Sequence, residues 1–234
     1  MSRARNRNGS RQYRRASISC NLQIVVSTAP APASFGTGKG KSRVTDVNIL
    51  AISGSLRAGS MNTALLRAAQ KHAPNDVSIS LYGNLGAIPL YNGDLDTDSP
   101  PSAVQELRAA IARADGLLIA TPEYNYSIPG VLKNALDWAS RPAQSSALLH
   151  KHVAILGAAP GNFGTVRAQL ALRQVFLWTQ SKVVVRPEIL VFNCAQRFDE
   201  AGNLTDETTI ELIREQLAVL RDQIRGLLPP LHSS

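Results

Sequence analysis

The amino-acid sequence predicts an α/β fold: a doubly wound, five-stranded parallel sheet in a single domain. Three observations carry this prediction. From residue 47 onward, apolar runs of strand length alternate with segments of helical period. Three of those runs, VNILAIS (47–53), GLLIATP (116–122) and VAILGAA (153–159), are continuously apolar, as expected of strands covered on both faces. Parallel strands joined by helices take right-handed crossovers, which winds such a sheet outward in both directions.

The elements follow in order. Residues 47–53 form the first strand, and a helix is predicted over 61–72 after a polar loop. VSISLYG (77–83) alternates and reads as the second strand. A loop rich in Gly, Pro, Asp and Asn leads to Ser102, which with Gln105 has the spacing of a capping box for a helix over 103–114. The third strand is 116–122. Pro129 then stands in the first turn of a helix reaching 140, where a missing N–H costs nothing. The fourth strand is 153–159 and the next helix 165–180. KVVVRPEILVF (182–192) is the fifth strand, with Pro187 as a break. A last helix, 206–226, places Ile210, Ile213, Leu217, Leu220, Ile224 and Leu227 on one face by their 3-4-3-4-3 spacing.

Charge is distributed unevenly. The 234 residues carry a formal charge of +8, yet nine of the 25 basic residues lie in 1–45, which holds no acid. The rest has 16 basic and 17 acidic residues, a net of −1. The body therefore has no basic excess for nucleic acid, and nucleic-acid binding is not expected of it. Residues 1–45 are Arg-, Ser-, Pro- and Gly-rich with one short apolar run, and are expected to be a disordered basic extension. Targeting segment, nucleic-acid or acidic-partner arm and over-long start compete as its explanation, and an over-long start or plain solvated tail is favoured. GKGKS (38–42) ends like a phosphate loop but has Phe35 where the first glycine belongs, so it is rejected. The folded domain is expected over 46–228, with a short tail over 229–234. The two cysteines, Cys20 and Cys194, make no disulfide framework and fit a reducing, cytoplasmic compartment. No run of 18 apolar residues is present, so no membrane association is expected. His72, His150, His152 and His232 lack metal-ligand spacing, and no metal is expected.

Doubly wound folds bind ligands at the carboxyl ends of their strands, at the switch point. That rule selects the loops after strands one, three and four. The first, GSLRAGSMNT (54–63), joins small residues and hydroxyls to a helix N-terminus, an arrangement suited to an anion. Ser55, Ser60, Asn62 and Thr63 add side-chain donors, and Arg57 adds a forked cation. Its spacing matches neither a dinucleotide fingerprint nor a nucleotide-triphosphate loop. In the second, TPEYNYSIPGVLKNALDWASR (121–141), Tyr124 and Tyr126 can flank a planar ring, although a structural turn with core aromatics explains such a pair equally. The third, GAAPGNFGT (157–165), is small enough for close backbone approach, although Gly161 and Gly164 also suit plain turns.

GSLRAGSMN, TPEYNYSIPGVLKNALDW and APGNFGTVRAQ, in this order, closely resemble the NADPH-dependent FMN reductase family, which includes flavodoxin-like quinone and chromate reductases and related azoreductases. The resemblance spans about residues 47–225. It implies FMN with its phosphate held by Ser55, Arg57, Ser60 and Asn62, beside Met61. It implies an isoalloxazine lined by Pro122, Glu123, Tyr124 and Asn125, with Tyr126 beside it and Ala159 and Gly161 in the third loop. It implies NADPH or NADH as donor, small-molecule acceptors (quinones, chromate, azo or nitro compounds, free flavin) and ping-pong kinetics, with the chemistry carried by FMN rather than by catalytic side chains. Glu123 is expected to be structural. A homodimer or homotetramer is also implied, with helices 129–140 and 165–180 and Trp138, Val175, Phe176, Leu177 and Trp178 as candidate interface. Family members usually carry a hydroxyl before Pro160, where Ala159 stands here, and a second glycine at Thr165. The competing reading, a flavodoxin-like electron carrier, is disfavoured by the near-neutral body and by Arg57.

Overall fold

The computed structural model describes residues 46–227. The expectations for the basic extension, the GKGKS segment and the C-terminal tail lie outside the described residues. Eleven helices and strands carry the fold, in the order β1 (Val47–Ser53), α1 (Met61–Lys71), β2 (Val77–Tyr82), α2 (Ser102–Arg113), β3 (Gly116–Ala120), α3 (Gly130–Ala139), β4 (His152–Ala158), α4 (Val166–Trp178), β5 (Lys182–Val183), β6 (Ile189–Val191) and α5 (Glu207–Ile224). The strand order is β2-β1-β3-β4-β5, with β6 also pairing β4, and all of these pairings are parallel. The order reverses between β1 and β3, which is the switch point the predicted winding requires.

The central strands bury both faces by simple alternation. Leu118 and Ala120 pack with Ile49, Ala51, Leu65, Ile213 and Leu217 under α1 and α5. Leu117 and Ile119 face the other way, into a cluster with Leu107, Ile111, Leu132, Trp138 and Phe176 from α2, α3 and α4.

The fifth strand is not continuous. Its place is shared by β5, paired at Val153↔Val183, and β6, paired at Leu156↔Ile189. Pro187 has no N–H to give the ladder, so the chain leaves the sheet between them. The carbonyl of Ile155, left facing the gap, accepts from Gln216 Nε2 at 3.0 Å, and the same nitrogen donates to the Pro187 carbonyl at 3.0 Å. From the other face Gln169 Nε2 donates to the Ile189 carbonyl at 2.9 Å. Two buried glutamines thus satisfy backbone groups that a regular strand would have paired.

Three local expectations need correction. Ser102 is already inside α2, whose cap position is Pro101, and Gln105 donates instead to the Pro100 carbonyl, so no capping box forms. Pro129 occupies the cap of α3 rather than its first turn. On α5, Ile210, Ile213, Leu217 and Leu220 are buried, but the helix ends at Ile224 and Leu227 is 64% exposed. Gly226 at φ +67° ends the helical periodicity before Leu227 can rejoin the face.

Candidate active site

A cavity of about 400 Å³ opens at the carboxyl ends of β1, β3 and β4. It brings together Ser55, Arg57, Ser60, Met61, Asn62, Pro122, Glu123, Tyr124 and Ala159 from all three loops singled out in the sequence. Ala158, Pro160, Cys194 and Ala195 also line it. Asn125, Tyr126 and Gly161 do not reach its wall.

The first loop supplies donors. Ser60 caps α1, its hydroxyl oxygen accepting from Thr63 N–H at 3.3 Å. Ser55 Oγ accepts from Arg57 N–H at 3.4 Å. Each hydroxyl oxygen accepts a backbone N–H and so keeps its own proton to donate. The first-turn N–H groups of Met61 and Asn62 have no intrahelical partner, and the positive end of α1 lies behind them. Asn62 is 4% exposed, and its amide is committed within the protein. Its Nδ2 donates to the Ala158 carbonyl at 3.0 Å and its Oδ1 accepts from Ala158 N–H at 2.9 Å. Asn62 therefore ties α1 to the end of β4 while remaining part of the cavity wall.

The second loop is a tight hairpin. Tyr124 and Ser127 exchange backbone hydrogen bonds at 2.9 and 3.0 Å, with Asn125 at φ +50° and Tyr126 at φ +65° between them. Two successive positive φ values make the two-residue turn that matches strand twist. The Tyr126 ring projects away from the cavity and lies 4.0 Å from the Arg167 guanidinium carbon, which also faces Phe163.

Glu123 is nearly buried and fully engaged. It accepts from Arg167 Nε at 2.7 Å, Arg167 N–H at 2.9 Å and Ala168 N–H at 3.2 Å. It caps α4, where the helix field favours a carboxylate. No free carboxylate is therefore left on the cavity wall to repel an anion. Burial pushes the Cys194 thiol up from its ordinary value, against opposing backbone hydrogen bonds and the charge of Arg57. At neutral pH it is a neutral, weakly polar surface rather than a nucleophile.

This donor set fits the phosphate of FMN: one guanidinium, two free hydroxyl protons and a helix N-terminus, with no opposing charge. The apolar lining from Pro122, Tyr124, Ala158, Ala159 and Pro160 fits a flat ring. Cys194 and Ala195 lie in the loop after the last strand, which carries no local motif in the sequence. The same carboxyl-end rule would have included that loop. The Glu123–Arg167 pair leaves no sequence signal, since its partners stand 44 positions apart.

Comparison with known proteins agrees with this geometry. A family model described as NADPH-dependent FMN reductase matches residues 47–196. An NAD(P)H-dependent FMN reductase of Pseudomonas aeruginosa is 46% identical over 182 residues, covering 78% of this chain and 97% of that protein. A 2-hydroxy-1,4-benzoquinone reductase of a Burkholderia species is 44% identical over 163 residues, covering 70% and 88%. Among solved structures, the flavoenzyme NAD(P)H:(acceptor) oxidoreductase of Paracoccus denitrificans superposes with a TM-score of 0.70 at 33% identity, covering 77% of this chain and 98% of that one. With the family model spanning the sheet and all three site loops, this chain belongs to the NADPH-dependent FMN reductase family.

Proposed function

We propose that the protein is an FMN-dependent oxidoreductase that draws hydride from NAD(P)H and delivers it to quinones or similar acceptors. The observation that carries this reading is the cavity of free donors, without a free carboxylate, at the switch point. FMN, when bound, supplies two-electron hydride chemistry that no side chain here possesses. Arg57, the Ser55 and Ser60 hydroxyls and the Met61 and Asn62 N–H groups hold its phosphate. Pro122, Tyr124 and Ala159 line its ring, Asn62 holds the first and third loops together, and Glu123 fixes the second loop on α4. Donor and acceptor approach through the same mouth in turn, which gives ping-pong kinetics. The acceptor class follows the relatives, one of which is named for a benzoquinone. A cytoplasmic location is proposed from the cysteine usage; separately, among the described residues no helix is long and apolar enough to cross a membrane.

The test is the visible spectrum of the full-length protein before and after anaerobic NADPH. A yellow protein that bleaches supports the reading. A yellow protein that stays oxidised reverts it to an electron carrier, and a colourless protein that cannot be loaded with FMN overturns it.

The assembly we propose is a homodimer or higher homo-oligomer through α3 and α4. Of the apolar residues on these helices, Trp138 and Phe176 are core, whereas Leu177 is 80% and Trp178 72% exposed. A groove of about 590 Å³ between α3 and α4 borders Val175 and Trp178. An exposed tryptophan beside a groove of mixed polar and apolar lining is the composition of an interface anchor. Trp178→Glu is expected to shift the sedimentation coefficient from dimer to monomer. A wild-type protein that sediments as a monomer removes the proposal.

A further inference from the structure

A smaller cleft, of about 230 Å³, opens between one face of α1, formed by Ala64, Arg67, Lys71 and His72, and the turn at 201–204. It shares no lining residue with the cofactor cavity. Arg67 and Lys71 stand about 10 and about 16 Å along α1 from Ser60, at about 1.5 Å per residue. Both are exposed, and among the described residues neither has a carboxylate within ion-pair distance. They are four residues apart on one face, a like-charge arrangement that by itself destabilises a helix. A third cation comes from α5, where Arg214 Nη2 lies 3.2 Å from His72 Nδ1. Arginine has only donors, so His72 Nδ1 accepts and the ring is neutral in this contact. Burial, Arg214 and Lys71 hold the His72 imidazole below its ordinary range, and Glu207 opposes them. Glu207 also meets Arg214, at 3.3 Å, and offsets one of the three charges. The carboxylate of the turn, Asp199, accepts from Asn203 N–H at 2.7 Å and Asn203 Nδ2 at 2.9 Å and does not line the cleft.

We propose that this cleft is a second anion site, which binds a phosphate group, free or as a small phosphomonoester, between Arg67, Lys71 and His72. Arg67, Lys71 and Arg214 against Glu207 leave a local charge of +2, which a phosphate dianion balances. The Arg67 fork takes two phosphate oxygens and the Lys71 ammonium a third. The carboxyl end of α1 carries about half a negative charge. That accounts for a lysine in the last turn, but the three cations outweigh it. Arg67 stands a turn earlier, where the helix end gives no such reason for a cation. The cleft is smaller than the roughly 300 Å³ at which pockets for drug-sized ligands begin. It therefore favours a phosphate with few further atoms over a nucleotide. The inference is independent of the flavin reading.

The test follows the His72 ring by NMR in the full-length, FMN-saturated protein carrying isotopically labelled histidine, with His72→Gln identifying the resonance. Saturation with FMN keeps added phosphate out of the cofactor cavity, and a signal local to His72 ignores anions bound elsewhere on the chain. Inorganic phosphate and glycerol 3-phosphate are titrated at about pH 8, where both are dianions, against sodium chloride of matched ionic strength. A saturable movement of the His72 signal by either phosphate, and not by chloride, is the expected result, and the tighter of the two names the source. With saturating sulfate, whose charge does not change over the range, the His72 titration is expected to move to higher pH, because a bound anion favours the imidazolium. Arg67→Gln and Lys71→Gln are each expected to weaken phosphate about fivefold, and the double variant to abolish saturation. Glutamine keeps the helix propensity, and both sites are exposed, so folding is retained. No saturable movement in the wild type, movement reproduced by chloride, or an affinity unchanged in the double variant overturns the inference. Flavin absorbance and bleaching by NADPH are read on the same samples. A wild type that never bleaches sinks the functional reading, and the His72 signal still judges the cleft.

Discussion

Replacing Gly157 with alanine is expected to destabilise the protein by about 3 kcal/mol, the upper range for overpacking a rigid core. A Cβ at this position would stand 2.0 Å from Thr165 Oγ1 and 2.5 Å from the Thr121 carbonyl oxygen. Neither neighbour can yield cheaply. Both threonines are fully buried, and Thr165 Oγ1 accepts from Gln169 Nε2 at 3.1 Å. Rotating Thr165 away would leave one of that amide's two N–H groups unpaired, the other donating to the Ile189 carbonyl, and moving Thr121 would drag Pro122 out of the cavity wall. Flavin affinity is therefore expected to fall along with stability. Urea unfolding checks the first effect, and fluorescence titration with FMN the second. Adding Thr165→Ala removes the nearer obstruction but not the backbone one, so the double variant should recover only part of the loss. A Gly157→Ala protein with a wild-type midpoint would show that the close approach imposes no constraint.

Asn62→Leu is expected to cost about 3 kcal/mol, because it keeps the volume while stripping both partners from the buried Ala158 N–H and C=O. The flavin site should suffer more than the global fold. The lost bonds tie the phosphate loop to the end of β4 and touch no other element. A rise in the FMN dissociation constant of at least about tenfold, equivalent to about 1.4 kcal/mol, is the expected readout. Asn62→Asp separates the two bonds by pH. The introduced carboxylate accepts from Ala158 N–H but faces the Ala158 carbonyl without a proton to give. Burial raises its pKa above the unfolded value, so its stabilising protonated form is present below that value and is lost as pH rises through the folded one. Relative to wild type, this variant should therefore gain stability on acidification. If Asn62→Leu binds FMN normally, the tie is dispensable.

These two residues also mark where the sequence was legible and where it was not. Asn62 was expected to touch a phosphate through its side chain. It lies in the first turn of α1 beside that loop, where one Nδ2 proton and Oδ1 bind a strand terminus 96 residues away. Gly157 opens the loop whose small residues suggest close approach of a ligand. It leaves room for Thr165 and Thr121, whose side chain and carbonyl fill the space. Gly164, at φ +57°, is held by its backbone conformation and by Leu190 packed against it. In each case local pattern identified the loop but not the partner.

From the sequence alone follow the sheet, its winding, the three site loops and the neutral body. All depend on periodicities and compositions that are complete within a few residues: apolar runs of strand length, helical spacing, hydroxyls before a helix N-terminus. The fold in three dimensions had to supply the division of the fifth strand around Pro187, bridged by Gln216 and Gln169. It also supplied the capping of α4 by Glu123, the inclusion of Cys194 in the cavity, the withdrawal of Tyr126 onto Arg167, and the partition of Trp138 and Phe176 into the core from Leu177 and Trp178 on the surface. Each of these is a choice between partners distant in the chain. Such choices are made by packing and hydrogen-bond satisfaction across the assembled layers, and the chain expresses them only once it is folded.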